Sequence, residues 1–313
     1  MSRAKLAIAL STLSVALVAW AIPGSGVAHQ RVQRPENARV IARPTSSIEP
    51  VRLRDEPGRG LLANGWINGV GPFVFAIDTG AGVSLISRNV VERAGLPVTK
   101  ARRPLVGGLS TSPISSDQET QIAGLALGRS NNALPGSFSA AVVTNLPSSI
   151  DGILYPTEVF KPLGYSVDLP NRELRVFDGR LRLSDVPRDG AVVRWVREGG
   201  SDRPFVRLGD GRLALIDTGS GFGLALNEGA GSNHAREGNA VRDLGGGMVQ
   251  SHRIAPQVVS IGPLVLNKVP TEVLTGVAPG TPIIIGRRAL FPFRLTFDPV
   301  SRLIAIEPAE PKQ

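Results

Sequence analysis

The sequence predicts an all-β chain with few short helices, folded as two similar lobes related by a pseudo-twofold. A repeat carries most of this expectation. Residues 75–87 read FAIDTGAGVSLIS and residues 213–226 read LALIDTGSGFGLAL. Their triplets, Asp78-Thr79-Gly80 and Asp217-Thr218-Gly219, lie 217 − 78 = 139 residues apart. Short alternating apolar runs broken by 36 Gly and 25 Pro read as strands and tight turns, not long helices. Two copies of roughly 125 residues suit two lobes, because a solenoid needs at least three shorter repeats.

The elements follow in chain order. Arg3 and Lys5 precede an apolar run at 6–21, and Gly26-Val27-Ala28 supplies small residues for cleavage. This is the pattern of a secretory signal peptide, expected over 1–28, and the apolar run is shorter than the ~20 residues that span a bilayer. The expected location is periplasmic or secreted, with no stable membrane insertion after cleavage. Residues 29–50 are polar and Pro-containing and read as a flexible tail or linker. The first lobe is expected over 51–183 and the second over 184–308. They join near LRLSDVPRDG, residues 181–190.

Within the first lobe, 61–67, the turn Asn68-Gly69 and 73–77 read as a β-hairpin. Ser87 is placed to cap a short helix that stops at Gly95. In the second lobe, 205–208, Gly209-Asp210-Gly211 and 212–216 repeat the hairpin. Each copy closes alike, with YSVDLPNRELRVF at 165–177 and RLTFDPVSRLIAIE at 294–307. Each has a strand, an Asp (Asp168, Asp298), a Pro-containing turn, an Arg and a second strand.

Composition removes many chemistries. The chain has no Cys, so there is no disulfide framework, thiol nucleophile or Cys-ligated metal. Its three His, at 29, 234 and 252, have no metal-ligand spacing, and no metal or cofactor is expected. The net charge of +9 is spread as scattered Arg with few aromatics, which argues against nucleic acid as a partner. There is no GxSxG and no Walker A sequence. Gly219-Ser220-Gly221-Phe222-Gly223 lacks the full dinucleotide spacing.

The two triplets remain. One Asp-Thr-Gly arises by chance in a chain this long with odds of roughly 1 in 20. A turn-forming role explains each triplet but not their matched placement. A twofold pairing of lobes would bring Asp78 and Asp217 together. Two carboxyls in contact share one proton, so one can act as a base toward water while the other donates to a carbonyl. Ser220 follows one triplet and Ala81 the other. A hydroxyl at Ser220 would favour an ionised Asp217 and leave the proton on Asp78.

These residues resemble the retropepsin-like aspartic peptidases, in the bacterial form with two motif copies per chain. The motif is matched at 76–81 and 215–220, and its Gly-containing partner segment at Ile284-Ile285-Gly286-Arg287. The first copy departs from it, with Tyr155 after Ile153-Leu154. Gly82, Gly221 and Gly223 are further departures. The resemblance covers about 55–308. It implies a bilobal retropepsin/pepsin-like acid protease fold and catalytic Asp78 and Asp217, supported by Thr79, Gly80, Thr218, Gly219 and Ser220. It also implies a monomeric endopeptidase acting on a peptide or protein substrate without a cofactor, which the signal peptide would send for export. The alternative is a non-catalytic peptide-binding protein on the same fold. Gly-rich segments at similar points after each triplet are placed as substrate-covering flaps. These comprise Gly107 and Gly108 in one lobe and Gly246, Gly247 and Met248 in the other, with Met248 reaching toward substrate.

Overall fold

The computed structural model describes residues 48–111, 114–227, 239–242 and 247–309, so the expected signal peptide and most of the tail lie outside the described residues. The fold is all-β: three sheets and three short helices among the described residues.

Each half of the chain builds one sheet of matching strand order. The first sheet runs Arg54–Glu56, Gly60–Ile67, Val70–Ile77, Gly152–Leu154, Ser84–Ser87, Phe138–Val143, Ile114–Ile122 and Thr99–Gly107, with Leu125–Leu127 added on Gly60–Ile67. The second runs Val196–Glu198, Ser201–Arg207, Leu213–Asp217, Ile283–Gly286, Leu224–Asn227, Leu264–Thr275, Met248–Ile261 and Asn239–Arg242. The first hairpin turns at Asn68 (φ 52°) and Gly69 (φ 78°), the left-handed pair that a tight two-residue turn requires. The helix Arg88–Arg93 starts where Ser87 accepts from the Val90 N–H, and Gly95 follows it at φ 61°.

A third sheet draws on both halves: Val51–Arg52, Glu173–Phe177, Gly164–Asp168, Phe293–Asp298, Leu303–Pro308 and Ala191–Arg194. Its two middle strands pair antiparallel across the pseudo-twofold, with Tyr165 opposite Phe297 and Val167 opposite Leu295. All four are fully buried, and the Tyr165 and Phe297 rings stack at 4.8 Å. Burial of each such side chain contributes about 1.5–3 kcal/mol. The closing turns match as well. Arg172 and Arg302 both adopt positive φ, and their carbonyls accept from Leu53 N–H (2.7 Å) and Trp195 N–H (2.9 Å). Asp168 and Asp298 cap these turns by accepting from main-chain N–H groups.

Candidate active site

Each triplet begins where a central strand ends. Gly152–Leu154 lies parallel to the end of Val70–Ile77, and the Asp78 N–H donates to Leu154 O at 3.0 Å. Ile283–Gly286 lies parallel to Leu213–Asp217, with Asp217 opposite Gly286. The two loops then lock together. Thr79 N–H donates to Thr218 Oγ1 (3.2 Å) and Thr218 N–H to Thr79 Oγ1 (3.0 Å). Each hydroxyl in turn donates to the other lobe's strand, Thr79 to Ile216 O (2.7 Å) and Thr218 to Ile77 O (3.2 Å). Four buried hydrogen bonds thus fix the loops without a charged group.

The glycines of the triplets make room for the opposite aspartate. A Cβ on Gly80 would stand 2.6 Å from Asp217 Cγ, and one on Gly219 would collide with the Asp78 carboxyl. The carboxyls therefore meet across the pseudo-twofold, each 9 % exposed.

Their protonation is asymmetric. Burial, the charge of Asp217 and a hydrogen bond to Asp217 hold the Asp78 carboxyl well above the usual carboxylate range, against the Gly80 N–H and Arg287. Burial raises Asp217 too, but the hydrogen bond from Asp78 and the N–H groups of Ser220 (2.9 Å) and Gly219 (2.8 Å) oppose it. Asp78 is therefore the member of the pair that holds a proton more readily. That direction is the one expected from sequence, but its cause is different. The hydrogen bond from Asp78 and then the main-chain amides of Ser220 and Gly219 favour the charge on Asp217, while the Ser220 hydroxyl engages the Phe222 N–H (3.2 Å). Asp78 has the Gly80 N–H (2.7 Å) where Asp217 has two amides.

Residues 63–154, which include Asp78, match the family model described as aspartyl protease. The family so matched is an aspartyl protease family of retropepsin-like type. No curated protein matches the chain. The matched residues end at Leu154, and the second half of the chain repeats the strand order of the first around Asp217.

The departures from the motif have local explanations. Tyr155 and Gly286 occupy the same register position. A Cβ at Gly286 would stand 2.5 Å from Phe222 O, so only Gly fits there. In the first lobe the loop from Asp78 to Leu85, which pairs with Ile153, is 85 − 78 = 7 residues. The matching loop from Asp217 to Ala225, which pairs with Ile284, is 225 − 217 = 8. The shorter loop leaves room for Tyr155, whose N–H donates to Ser84 Oγ. Gly82 is left-handed (φ 75°), and a Cβ there would press on Arg203 Cδ at 3.2 Å.

Arg287 was visible in the sequence only as a motif residue. It is buried, donates to Thr218 O (2.7 Å) and Gly219 O (2.9 Å), and lies 3.4 Å from Asp55 of the first lobe. It thus braces the Asp217 loop against the first lobe.

Both carboxyls open into a cleft of about 1030 Å³. Gly107 and Gly108 line it, at the tip of the hairpin formed by Thr99–Gly107 and Ile114–Ile122. This tip reaches the second lobe, where Leu109 O accepts from the Ala278 N–H (2.8 Å) and Ser110 bridges Val277. In the second hairpin, Asn239–Arg242 pairs with the start of Met248–Ile261. Gly246 lies outside the described residues. Gly247 is buried but does not line the cleft. Met248 does not reach toward substrate: it is 50 % exposed, outside the cleft lining. Strand alternation is the reason, since Val249, Ser251 and Arg253 take the cleft-facing parity of that strand.

Proposed function

We propose that the chain is an exported aspartic endopeptidase in which Asp217 and Asp78 act as one dyad on a water molecule. The observation that supports this reading is the pair of buried carboxyls, each packed against the glycine of the other triplet and both lining one cleft. The ionised Asp217 takes a proton from the water as it attacks the scissile carbonyl, and Asp78 donates its proton to the carbonyl oxygen. The resulting tetrahedral intermediate collapses with proton transfer to the leaving amine, which restores the dyad. The Thr79–Thr218 lattice and Arg287 hold the loops so that the carboxyls need not reorganise. The first flap, bonded at its tip to the 276–281 loop, covers the cleft and excludes water. Peptides or unfolded proteins are the substrates, and a single chain suffices because it supplies both aspartates.

The test is digestion of an unfolded protein over pH 3–7 by the wild type and by Asp78→Asn. The expected result is cleavage by the wild type and a loss on the order of 10³-fold in the variant, with folding retained. A protein that binds peptides but never cleaves them supports instead the reading of a non-catalytic peptide-binding protein. Export is tested separately, by fractionating cells that express the full chain and determining the N-terminus of the recovered protein.

A further inference from the structure

The two walls of the cleft differ in charge at equivalent positions. In the first lobe Leu85 pairs with Ala141 and with Ile153. In the second, Ala225 pairs with Glu272 and with Ile284. Ala141 and Glu272 therefore hold the same place behind the catalytic loops. Around Ala141 the wall is apolar, and Ala81, Val83, Leu85 and Ile153 line the cleft. Around Glu272 it is charged. Arg288 NH1 donates to Glu272 Oε1 at 3.0 Å, and Arg253 Nε approaches the same oxygen at 3.7 Å. Arg253, Glu272 and Arg288 all line the cleft.

The cluster has two cations and one anion. The Glu272 side chain is 6 % exposed, whereas Arg253 is 69 % and Arg288 45 % exposed, so the guanidinium groups face the opening. Among the described residues no second carboxylate lies within ion-pair distance of either arginine. Glu272 engages both through one oxygen, and its Oε2 is buried without a hydrogen-bond partner among the described residues. Arg203, a further cleft arginine, is held at the other rim by Ser201 Oγ and the Phe205 ring. The second-lobe wall thus presents an uncompensated positive charge, held at the rim by a buried acid.

We propose that Arg253 and Arg288 form an anion-accepting subsite, so that the cleft selects peptides with an acidic side chain on the second-lobe side and an apolar one on the first-lobe side. This rests on the peptidase reading for the word substrate, but not for the binding preference itself. A substrate carboxylate would complete the cluster by accepting from the guanidinium groups that Glu272 leaves free. Charge-assisted bonds of this kind are the strong ones, and a bidentate arginine adds geometric selection.

The experiment walks a single Glu along an otherwise neutral peptide, with a Gln and a Lys counterpart at each position. Binding is measured with the inactive Asp78→Asn full chain and cleavage with the wild type. At one position Glu should bind and be cleaved roughly tenfold better than Gln, with Lys worst. Arg253→Glu, a change at an exposed side chain that leaves the core intact, should reverse the order of Glu and Lys at that position only. Equal binding of the three peptides at every position, no binding of any, or an order unchanged in Arg253→Glu would overturn the proposal. Selective binding without cleavage would uphold the subsite and reject the peptidase reading.

Discussion

Asp78 and Asp217 sit on loops of the same design, yet the same backbone carries different chemistry in the two lobes. The first lobe has Ala141, Tyr155 and a seven-residue step from Asp78 to its pairing strand; the second has Glu272, Gly286 and eight. The loop that holds Asp217 takes two amides and a buried arginine brace, whereas Asp78 takes one amide. A homodimeric dyad would be symmetric until substrate arrived. Here covalent linkage lets each lobe differ: burial and its neighbours raise Asp78 further than Asp217, and the second lobe alone carries a charged wall.

Substitutions should have matched effects where the lobes are equivalent and unequal effects where they differ. The largest effect is expected where the lobes share structure. Phe297→Ala removes a fully buried ring stacked on Tyr165 across the pseudo-twofold. It should cost about 3–5 kcal/mol, read by chemical denaturation. Gly80→Ala and Gly219→Ala should each lower kcat/KM by roughly 100-fold, because each Cβ displaces the opposite carboxyl. Near-equal losses would support equivalence; a loss in one alone would break it. Thr79→Val and Thr218→Val each orphan lattice partners and should cost about 1–3 kcal/mol apiece, again alike in the two lobes.

Much of this comparison was legible in the sequence. Asn68-Gly69 announced a turn because few residues tolerate two successive positive φ angles, and Ser87 announced a helix start because its hydroxyl competes for an orphan amide. The repeated triplets marked the two aspartates that the structure brings together. The sheet built from both halves was not legible, since alternation in 165–177 and 294–307 shows that strands exist but not that they pair with each other. Glu272, Arg253 and Arg288 come from separate elements and meet only through strand register. Met248 failed on parity: one residue of register decides which face a side chain takes. The proton asymmetry was visible in direction but misassigned to the Ser220 hydroxyl, because a sequence does not show where main-chain amides point.

Two smaller effects sharpen the asymmetry. Asp78 is raised in the folded state, so its favourable contribution is present below the ordinary carboxylate range and is lost as pH rises through the raised value. Asp78→Asn removes that loss. Its melting temperature relative to wild type should therefore climb as pH rises from about 4 to 7, and more steeply than for Asp217→Asn. The smallest effect belongs to Ser220→Ala. With Asp217 held by amides, the acidic limb of the pH–rate profile should not move. A raised limb would return the hydroxyl to the role that the sequence suggested.

Both aspartates of one chain are expected to act together as a single asymmetric dyad. Hydrolysis of a fluorogenic peptide by wild type, Asp78→Asn, Asp217→Asn and an equimolar mixture of the two variants tests it most directly. Wild-type activity per chain should stay constant on dilution, with both variants and their mixture inactive. A wild type without turnover, activity that falls on dilution, or activity regained on mixing would contradict it.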